Sequence, residues 1–319
     1  MSTSATPSSA NPSSTTPSAA NPSAAPASAA PSPVPGRELS AAVAVLGTVV
    51  AVVSLGVGSL LAVAGAAGYA AGAWVSPEPL SPALIGAAMV GVAPALFTLR
   101  RADTWEEVRS LYLPLVVVMV GLLAVTLLNA GSLRVAEGGP LFLVLFSLGW
   151  VPVVAVLALA AVGCLAAQYR RPAGAPARTS TAPIPGWSKP LLAVLGSGWL
   201  GIGAGLLFLP GFWSAFVPWA VNRADAQGLG VWALALGVGV LTSLAEDDLA
   251  RSRPAVRAVP LVAVACGVVL AARAPAVDWT SGGAVSLLAL LAGLLATGVT
   301  GRLLLGRPAG PGAAGPVTR

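Results

Sequence analysis

The chain has 319 residues, of which 56% are hydrophobic and only 9% charged, and its mean hydropathy is +0.85. Soluble domains carry roughly 25% charged residues, so this composition excludes an ordinary soluble fold and places most of the chain in lipid. The net charge of +6 does not indicate nucleic-acid binding, because the basic residues lie in short loops between apolar stretches and are not gathered on one face.

The residues that most often build catalytic and metal sites are scarce. The sequence has no histidine, which removes the commonest metal ligand and the usual general base near neutral pH. Cys164 and Cys266 both lie inside apolar stretches, without a partner at metal-ligand spacing. We therefore predict no cofactor, no metal site and no enzymatic activity.

The chain begins with a segment rich in Ser, Pro and Ala, which we place at residues 1–40. Proline recurs every five residues at Pro7, Pro12, Pro17 and Pro22, and residues 1–36 carry no charge. Such a segment has no side chains able to bury a core. We predict a disordered cytoplasmic tail, and we expect no signal peptide because a basic start and an apolar region are both missing.

The first apolar stretch, Ala41–Val75, has 35 residues, whereas a membrane span needs about 20. Two interpretations remain open. Either one span ends near Gly65–Gly68 and is followed by an interfacial loop with Tyr69 and Trp74, or the stretch forms two spans. We prefer the first, because aromatic residues that follow a span are typical of the membrane interface.

The later apolar stretches predict seven further spans. The fifth is broken by Pro210 and Gly211, which are again followed by aromatic residues. The predicted spans after the first are Ala83–Leu99, Leu111–Asn129, Leu141–Gln168, Leu191–Leu209, Leu229–Ala245, Val256–Ala272 and Ala284–Leu304.

The chain carries the same layout twice. Residues 41–170 and 187–306 each contain four apolar stretches with a charged patch after the second, and residues 171–186 form a predicted cytoplasmic linker. An even number of spans per half gives both halves the same sense in the membrane. We predict an all-α integral membrane protein with about eight transmembrane helices, arranged as two parallel four-helix repeats, and a cytoplasmic tail at residues 307–319.

The positions of the basic residues predict the orientation. With the N-terminus in the cytoplasm, only Arg134, Arg223 and Arg273 lie outside. The inside segments then hold Arg37, Arg100, Arg101, Arg109, Arg170, Arg171, Arg178, Lys189, Arg251, Arg253, Arg257, Arg302, Arg307 and Arg319. The positive-inside rule therefore places both termini in the cytoplasm, and we predict the bacterial cytoplasmic (inner) membrane.

Two sets of polar residues are candidate sites. The charged loops could dock a cytoplasmic partner, with Trp105 on the lipid surface beside them. Alternatively, they could serve only as topology anchors for spans two, three, six and seven. The order of charges in the second loop also permits an Asp247–Arg251 pair four residues apart. The candidate docking residues are Asp103, Trp105, Arg109, Asp247, Arg251 and Arg253. A candidate outer rim consists of Asn129, Arg273 and Asp278.

The stretch from Phe212 to Trp279 has an aromatic outer loop, a Gly-rich span, an acidic-then-basic turn and a final Asp278-Trp279 pair. It resembles uncharacterised multi-pass bacterial membrane proteins, more closely than the first half does. The resemblance implies an inner-membrane protein of several helices and brings no activity or catalytic residue with it.

The sequence names no substrate, so the functional expectation rests on what the spans lack. No Asp, Glu, Lys or Arg lies near the middle of any predicted span, whereas ion-coupled carriers usually place ionisable groups there. We expect a non-enzymatic membrane protein that acts by helix packing or partner binding, with the lipid bilayer and possible homo-oligomer or membrane protein partners.

The alternative is a permease for a small neutral or apolar solute, with a site between the two repeats. A cavity lined by Thr98, Thr126, Thr242 and Thr297 would favour the permease. An enzyme of lipid metabolism ranks third, because its catalytic polar cluster is missing.

Overall fold

The computed structural model describes residues 36–174 and 183–306, and these residues form an all-helical structure without β-strands. Eight of its helices are long and apolar enough to cross a membrane, which indicates a multi-pass membrane protein and confirms the predicted fold class at that level. We number them α1 (Ala41–Ala66), α2 (Leu80–Phe97), α3 (Arg109–Leu128), α4 (Leu141–Tyr169), α5 (Lys189–Phe208), α6 (Arg223–Glu246), α7 (Arg253–Ala272) and α8 (Gly282–Leu305).

The first apolar stretch forms one helix followed by a loop, as preferred from the sequence. After Ala66 the chain turns at Gly68, whose φ is 93°. The amide of Tyr69 donates to the carbonyl of Ala64 at 2.9 Å, which closes the helix end with a left-handed glycine cap. Residues 67–79 then run outside the helix to the start of α2.

Helix α6 begins six residues before the predicted Leu229. Asn222 caps it, because its side-chain oxygen accepts a 2.8 Å hydrogen bond from the amide of Asp225. The apolar pattern places Asp225 in a loop, whereas the structure buries it completely in the first turn of α6. The boundary prediction was wrong because the partners of this acid lie far away in the sequence.

The centre of the bundle is formed by α2, α3, α6 and α7. Helix α1 packs on α2 and α4, and α3 packs on α4; α5 likewise packs on α6 and α8, and α7 on α8. Pairs α2–α7, α3–α6 and α2–α6 join these two groups. In the most apolar stretch of each helix, 72% of the residues are buried in α2 but only 22% in α8, so α8 lies at the periphery.

At two helix crossings, a pair of glycines lets the two helix backbones approach each other closely. A Cβ atom on Gly86 would lie 2.6 Å from the carbonyl oxygen of Gly58, where α1 crosses α2. A Cβ atom on Gly230 would lie 2.9 Å from the carbonyl oxygen of Gly203, where α5 crosses α6. Small residues permit such close backbone contact between helices in lipid.

The connections between helices gather at two opposite ends of the bundle. At the charged end, the α2–α3 and α6–α7 connections meet through an ion pair between Arg109 and Glu246. Isolated bridges there join Glu38 to Thr104 and Pro183 to Asp248. The aromatic end contains residues 67–79, 129–140, 209–222 and 273–281, and includes the exposed side chains of Tyr69, Phe212 and Phe216.

Several predicted segments lie partly or wholly outside the described residues. These are the tail at residues 1–40, except for its last five residues, half of the linker at 171–186, and the tail at 307–319. Within the described part, the backbone amide of Ser40 donates to Gln168 at 3.0 Å. Residues 36–40 are therefore held against the charged end of the bundle.

Candidate ligand-binding cavities

A cavity of about 260 Å³ opens at the charged end, and we call it the charged-end cavity. Its walls come from α1, α2, α3, α5, α6, α7 and α8, and the segment that leads into α5 closes one side with Ile184 and Trp187. The lining contains no charged side chain among the described residues. This cavity therefore suits an uncharged, largely apolar occupant.

A second cavity of about 710 Å³ lies at the other end, and we call it the aromatic-end cavity. It is lined by α2, α5, α6, α7 and α8 and by the loop from Trp213 to Trp219. Asp278 contributes the only charged side chain of this lining in the described structure. Hydrogen bonds from Thr280 hold the pKa of the Asp278 carboxyl below its usual range, so the carboxylate stays ionised at the rim.

The two cavities share part of one wall. Trp232, Leu236 and Val262 line both of them. The indole Nε1 atoms of Trp232 and of Trp199, which lines the aromatic-end cavity, are buried and have no hydrogen-bond partner within the described residues. The shared wall therefore combines an apolar surface with an indole donor that the described part of the chain leaves unused.

Serine and threonine residues contribute a few polar side chains to the lining of the charged-end cavity. Of the four threonines proposed from the sequence, Thr297 lines this cavity. Thr98 donates to the carbonyl of Ala95, and Thr126 accepts a hydrogen bond from the indole of Trp150. Neither cavity is lined by Thr98, Thr126 or Thr242.

A buried polar cluster at the aromatic end surrounds Asp225. Its Oδ1 atom accepts hydrogen bonds from Trp74 Nε1 at 2.8 Å and from Ser76 Oγ at 2.7 Å. Its Oδ2 atom has no partner among residues 36–174 and 183–306. Asn222 lies beside it and donates to the carbonyl of Val75. Sequence reasoning missed this cluster, although Asn222 and Asp225 have the spacing of a helix cap.

The two charged loops come together at the charged end, and their ion pairs differ from the one that the sequence permits. Arg109 pairs with Glu246 across the two loops. Arg251 pairs with Asp248 at 3.4 Å, whereas Asp247 pairs with Lys189 at 2.6 Å, so the expected Asp247–Arg251 pair does not form. Asp247 adopts a left-handed conformation with φ 49°, which ends α6 and breaks the helical spacing.

The other candidate docking residues divide into surface and core. Hydrogen bonding and charge pairing with Lys189 hold the pKa of Asp247 below its usual range. Asp103 and Arg253 are exposed at this end. Trp105 is fully buried, with Tyr112 and Tyr169 at ring-centroid distances of 5.5 and 5.7 Å, and is not on the lipid surface. Edge-on contacts with the two tyrosine rings stabilise this buried position, although the indole Nε1 atom has no partner within the described residues.

The candidate outer rim residues all lie at the aromatic end, but only Asp278 lines a cavity. The amide of Asn129 donates to the side chain of Gln227 at 2.7 Å, and Arg273 lies 3.9 Å from the carboxylate of Glu78. Both contacts connect one sequence half to the other. Asn129 and Arg273 therefore hold the bundle together at this end.

Comparisons with protein-family models, with curated proteins and with solved structures find no match to this chain.

Proposed function

We propose that the protein is a non-enzymatic permease for a small, uncharged and largely apolar solute. One observation carries the proposal: cavities enter the bundle from both ends and share the wall formed by Trp232, Leu236 and Val262. A solute that crosses this wall would pass from one end to the other. The apolar linings favour such a solute, because each Å² of apolar surface removed from water contributes roughly 25 cal/mol.

We also propose that the bundle consists of two parallel repeats, α1–α4 and α5–α8. Contacts that recur at offsets of 144 or 145 residues support this arrangement. The recurring contacts are the glycine pairs Gly58–Gly86 and Gly203–Gly230, the bridges Glu38–Thr104 and Pro183–Asp248, and the backbone hydrogen bonds Arg134 to Ala73 at 3.0 Å and Asp278 to Pro218 at 2.8 Å.

The helix packing supports the same arrangement. The exchange of each helix with its counterpart four helices later turns the α2–α7 contact into α6–α3, and both contacts are present. The α2–α6 pair is its own counterpart under this exchange. The cavities then lie at and beside the boundary between repeats, where transporters built from repeats bind their substrates.

We further propose that the charged end faces the cytoplasm of a bacterium and that both termini lie on that side of the inner membrane. The charged end holds Arg37, Arg100, Arg101, Arg109, Arg170, Arg171, Lys189, Arg251, Arg253, Arg257 and Arg302, whereas the aromatic end holds Arg134, Arg223 and Arg273. The positive-inside rule supports this orientation.

The proposal is tested by solute flux into proteoliposomes. Short uncharged solutes such as radiolabelled alcohols and ketones are supplied outside, and saturable uptake above that of empty liposomes is expected. Thr297→Phe places a bulky ring in the charged-end cavity and should reduce uptake strongly. Trp232→Ala removes part of the shared wall and should raise it.

The matched control is Val299→Phe, which places the same ring on α8 at an exposed position that lines neither cavity. Uptake by this variant should equal that of the wild type. If the wild-type protein gives no saturable uptake, or if Thr297→Phe and Val299→Phe behave alike, the permease proposal fails. Helix packing or partner binding would then be the remaining role.

A further inference from the structure

Two buried serines line the charged-end cavity, and their hydroxyl groups have no partner among the described residues. Ser110 is the second residue of α3, and Ser252 is the N-cap residue of α7. Each is 1% exposed, and both line the same cavity. Neither Oγ atom makes a hydrogen bond within residues 36–174 and 183–306. Because an unpaired buried hydroxyl costs free energy, two of them in one cavity wall indicate a ligand contact.

Ser252 is placed to cap its own helix but does not do so. A serine at an N-cap ordinarily adopts an extended backbone and accepts a hydrogen bond from an amide of the first turn. Ser252 instead has φ −84° and ψ 4°, and its side chain makes no capping hydrogen bond. Its hydroxyl therefore makes no bond to its own helix, although the residue lines the cavity.

The electrostatics at this wall favour an acceptor group. Helices α3 and α7 have 20 residues each, and their N-terminal ends carry the positive pole of the helix dipole. Hydroxyl donors beside two such ends attract the lone pairs of an oxygen. The described lining provides no charged side chain to neutralise an ionised head group, and a buried unpaired charge is costly.

We propose that the charged-end cavity binds an uncharged amphiphile whose carbonyl oxygen accepts hydrogen bonds from Ser110 and Ser252. The apolar tail of this ligand packs against side chains such as Met89, Met119 and Val92 deeper in the same cavity. This inference rests on the proposed permease function and names the substrate class for it.

The dimensions of the cavity limit the size of the ligand. Its volume of about 260 Å³ exceeds the roughly 150 Å³ of an apolar cavity that accommodates benzene. In proportion, it admits a molecule of about ten non-hydrogen atoms. Trp187 and Leu191 line the cavity and are 64% and 65% exposed, so the entrance lies at the interface of the charged end.

The test compares 2-octanone with octane, which has the same number of carbons but no acceptor. Radiolabelled ligands are bound to the full-length protein in lipid nanodiscs, with empty nanodiscs subtracted. The wild type should bind 2-octanone more tightly than octane. Ser110→Ala and Ser252→Ala should each lower the affinity for 2-octanone about two- to tenfold, the effect of one hydrogen bond, and leave octane binding unchanged.

Retained octane binding shows that each serine variant is folded. Ser59→Ala is the matched control, because this serine is exposed on α1 and lines neither cavity. Equal affinities of the wild type for 2-octanone and octane, or serine variants with unchanged 2-octanone affinity, would overturn the head-group assignment and leave the permease proposal intact. Loss of binding for both ligands, together with no saturable flux, would overturn the permease proposal itself.

Discussion

The indole of Trp74 donates a 2.8 Å hydrogen bond to the buried carboxylate of Asp225, and this bond joins the α1–α2 connection to the first turn of α6. A similar contact runs in the opposite direction, since Trp219 Nε1 donates to Ser81 Oγ at 2.8 Å. Each sequence half therefore supplies a tryptophan that fastens the start of a central helix of the other half.

The first prediction concerns this carboxylate. Asp225→Ala leaves the donors of Trp74 and Ser76 buried without an acceptor, and we expect it to lower the free energy of unfolding by about 2 to 5 kcal/mol. Asp225→Asn keeps an acceptor oxygen and should cost less than half as much. Unfolding in a titration from mild detergent to SDS measures both. Asp278→Ala, which removes an exposed acid, should have little effect; an equal loss in all three variants would contradict the argument.

The second prediction compares neighbouring glycines on the same helix. A Cβ on Gly203 collides with the backbone of Leu234, whereas a Cβ on Gly201 meets nothing within 4 Å. Gly203→Ala should destabilise the protein by about 1 to 3 kcal/mol. Gly201→Ala should leave stability unchanged or raise it by up to about 1 kcal/mol, because alanine favours the helix. The measurement is again the SDS unfolding midpoint.

The first half offers the same comparison between Gly58 and Gly56. A Cβ on Gly58 lies 2.9 Å from the carbonyl oxygen of Gly86, and Gly56 has nothing within 4 Å. If the repeat proposal is right, Gly58→Ala and Gly56→Ala will differ in the same direction as the second-half pair. A destabilising Gly56→Ala beside a tolerated Gly58→Ala would contradict it.

The third prediction concerns the ion pair between Arg109 and Glu246. The Glu246 side chain is only 1% exposed, and Arg251 also approaches it at 4.0 Å. A double-mutant cycle with Arg109→Gln and Glu246→Gln should give a coupling free energy of about 1 to 3 kcal/mol. The same cycle on Lys189 and Asp247, which are 40% and 47% exposed, should give a much smaller coupling. Similar coupling free energies in the two cycles would show that burial does not strengthen the ion pair between Arg109 and Glu246.

The fourth prediction concerns topology. In a background without Cys164 and Cys266, a cysteine placed at Glu78 should react with a membrane-impermeant reagent from outside intact cells. A cysteine at Arg101 should react only after the cells are opened. Labelling distinguishes the two sides of the membrane, because Glu78 lies at the aromatic end of the bundle and Arg101 at the charged end. The reverse pattern of labelling would show that the proposed orientation is inverted.

The number and order of the long helices could be predicted from the sequence, because a span is a local property of about 20 apolar residues. The end of α1 was equally local, since Gly68 and the aromatic residues after it mark the boundary. The start of α6 was not. Asp225 reads as a loop residue until Trp74 and Ser76, about 150 positions away in the sequence, are brought beside it.

The candidate site was less predictable for the same reason. A cavity is a gap between helices, and no single stretch of sequence records it. Trp232 looks like any apolar residue of a span, although its position between two cavities makes it central. Trp105 shows the opposite error: its place in a charged loop predicted an interfacial ring, yet Tyr112 and Tyr169 draw it into the core.

The polar contacts at the two ends of the bundle respond differently to the ionic strength of the solution. At the aromatic end, Trp74 and Trp219 donate to the buried side chains of Asp225 and Ser81, and neither bond to a side-chain oxygen is an exposed ion pair. At the charged end, the side chains of Lys189 and Asp247 are 40% and 47% exposed, so added electrolyte weakens the attraction between them. Rising ionic strength therefore loosens one end of the molecule selectively, and that end is where the smaller cavity opens.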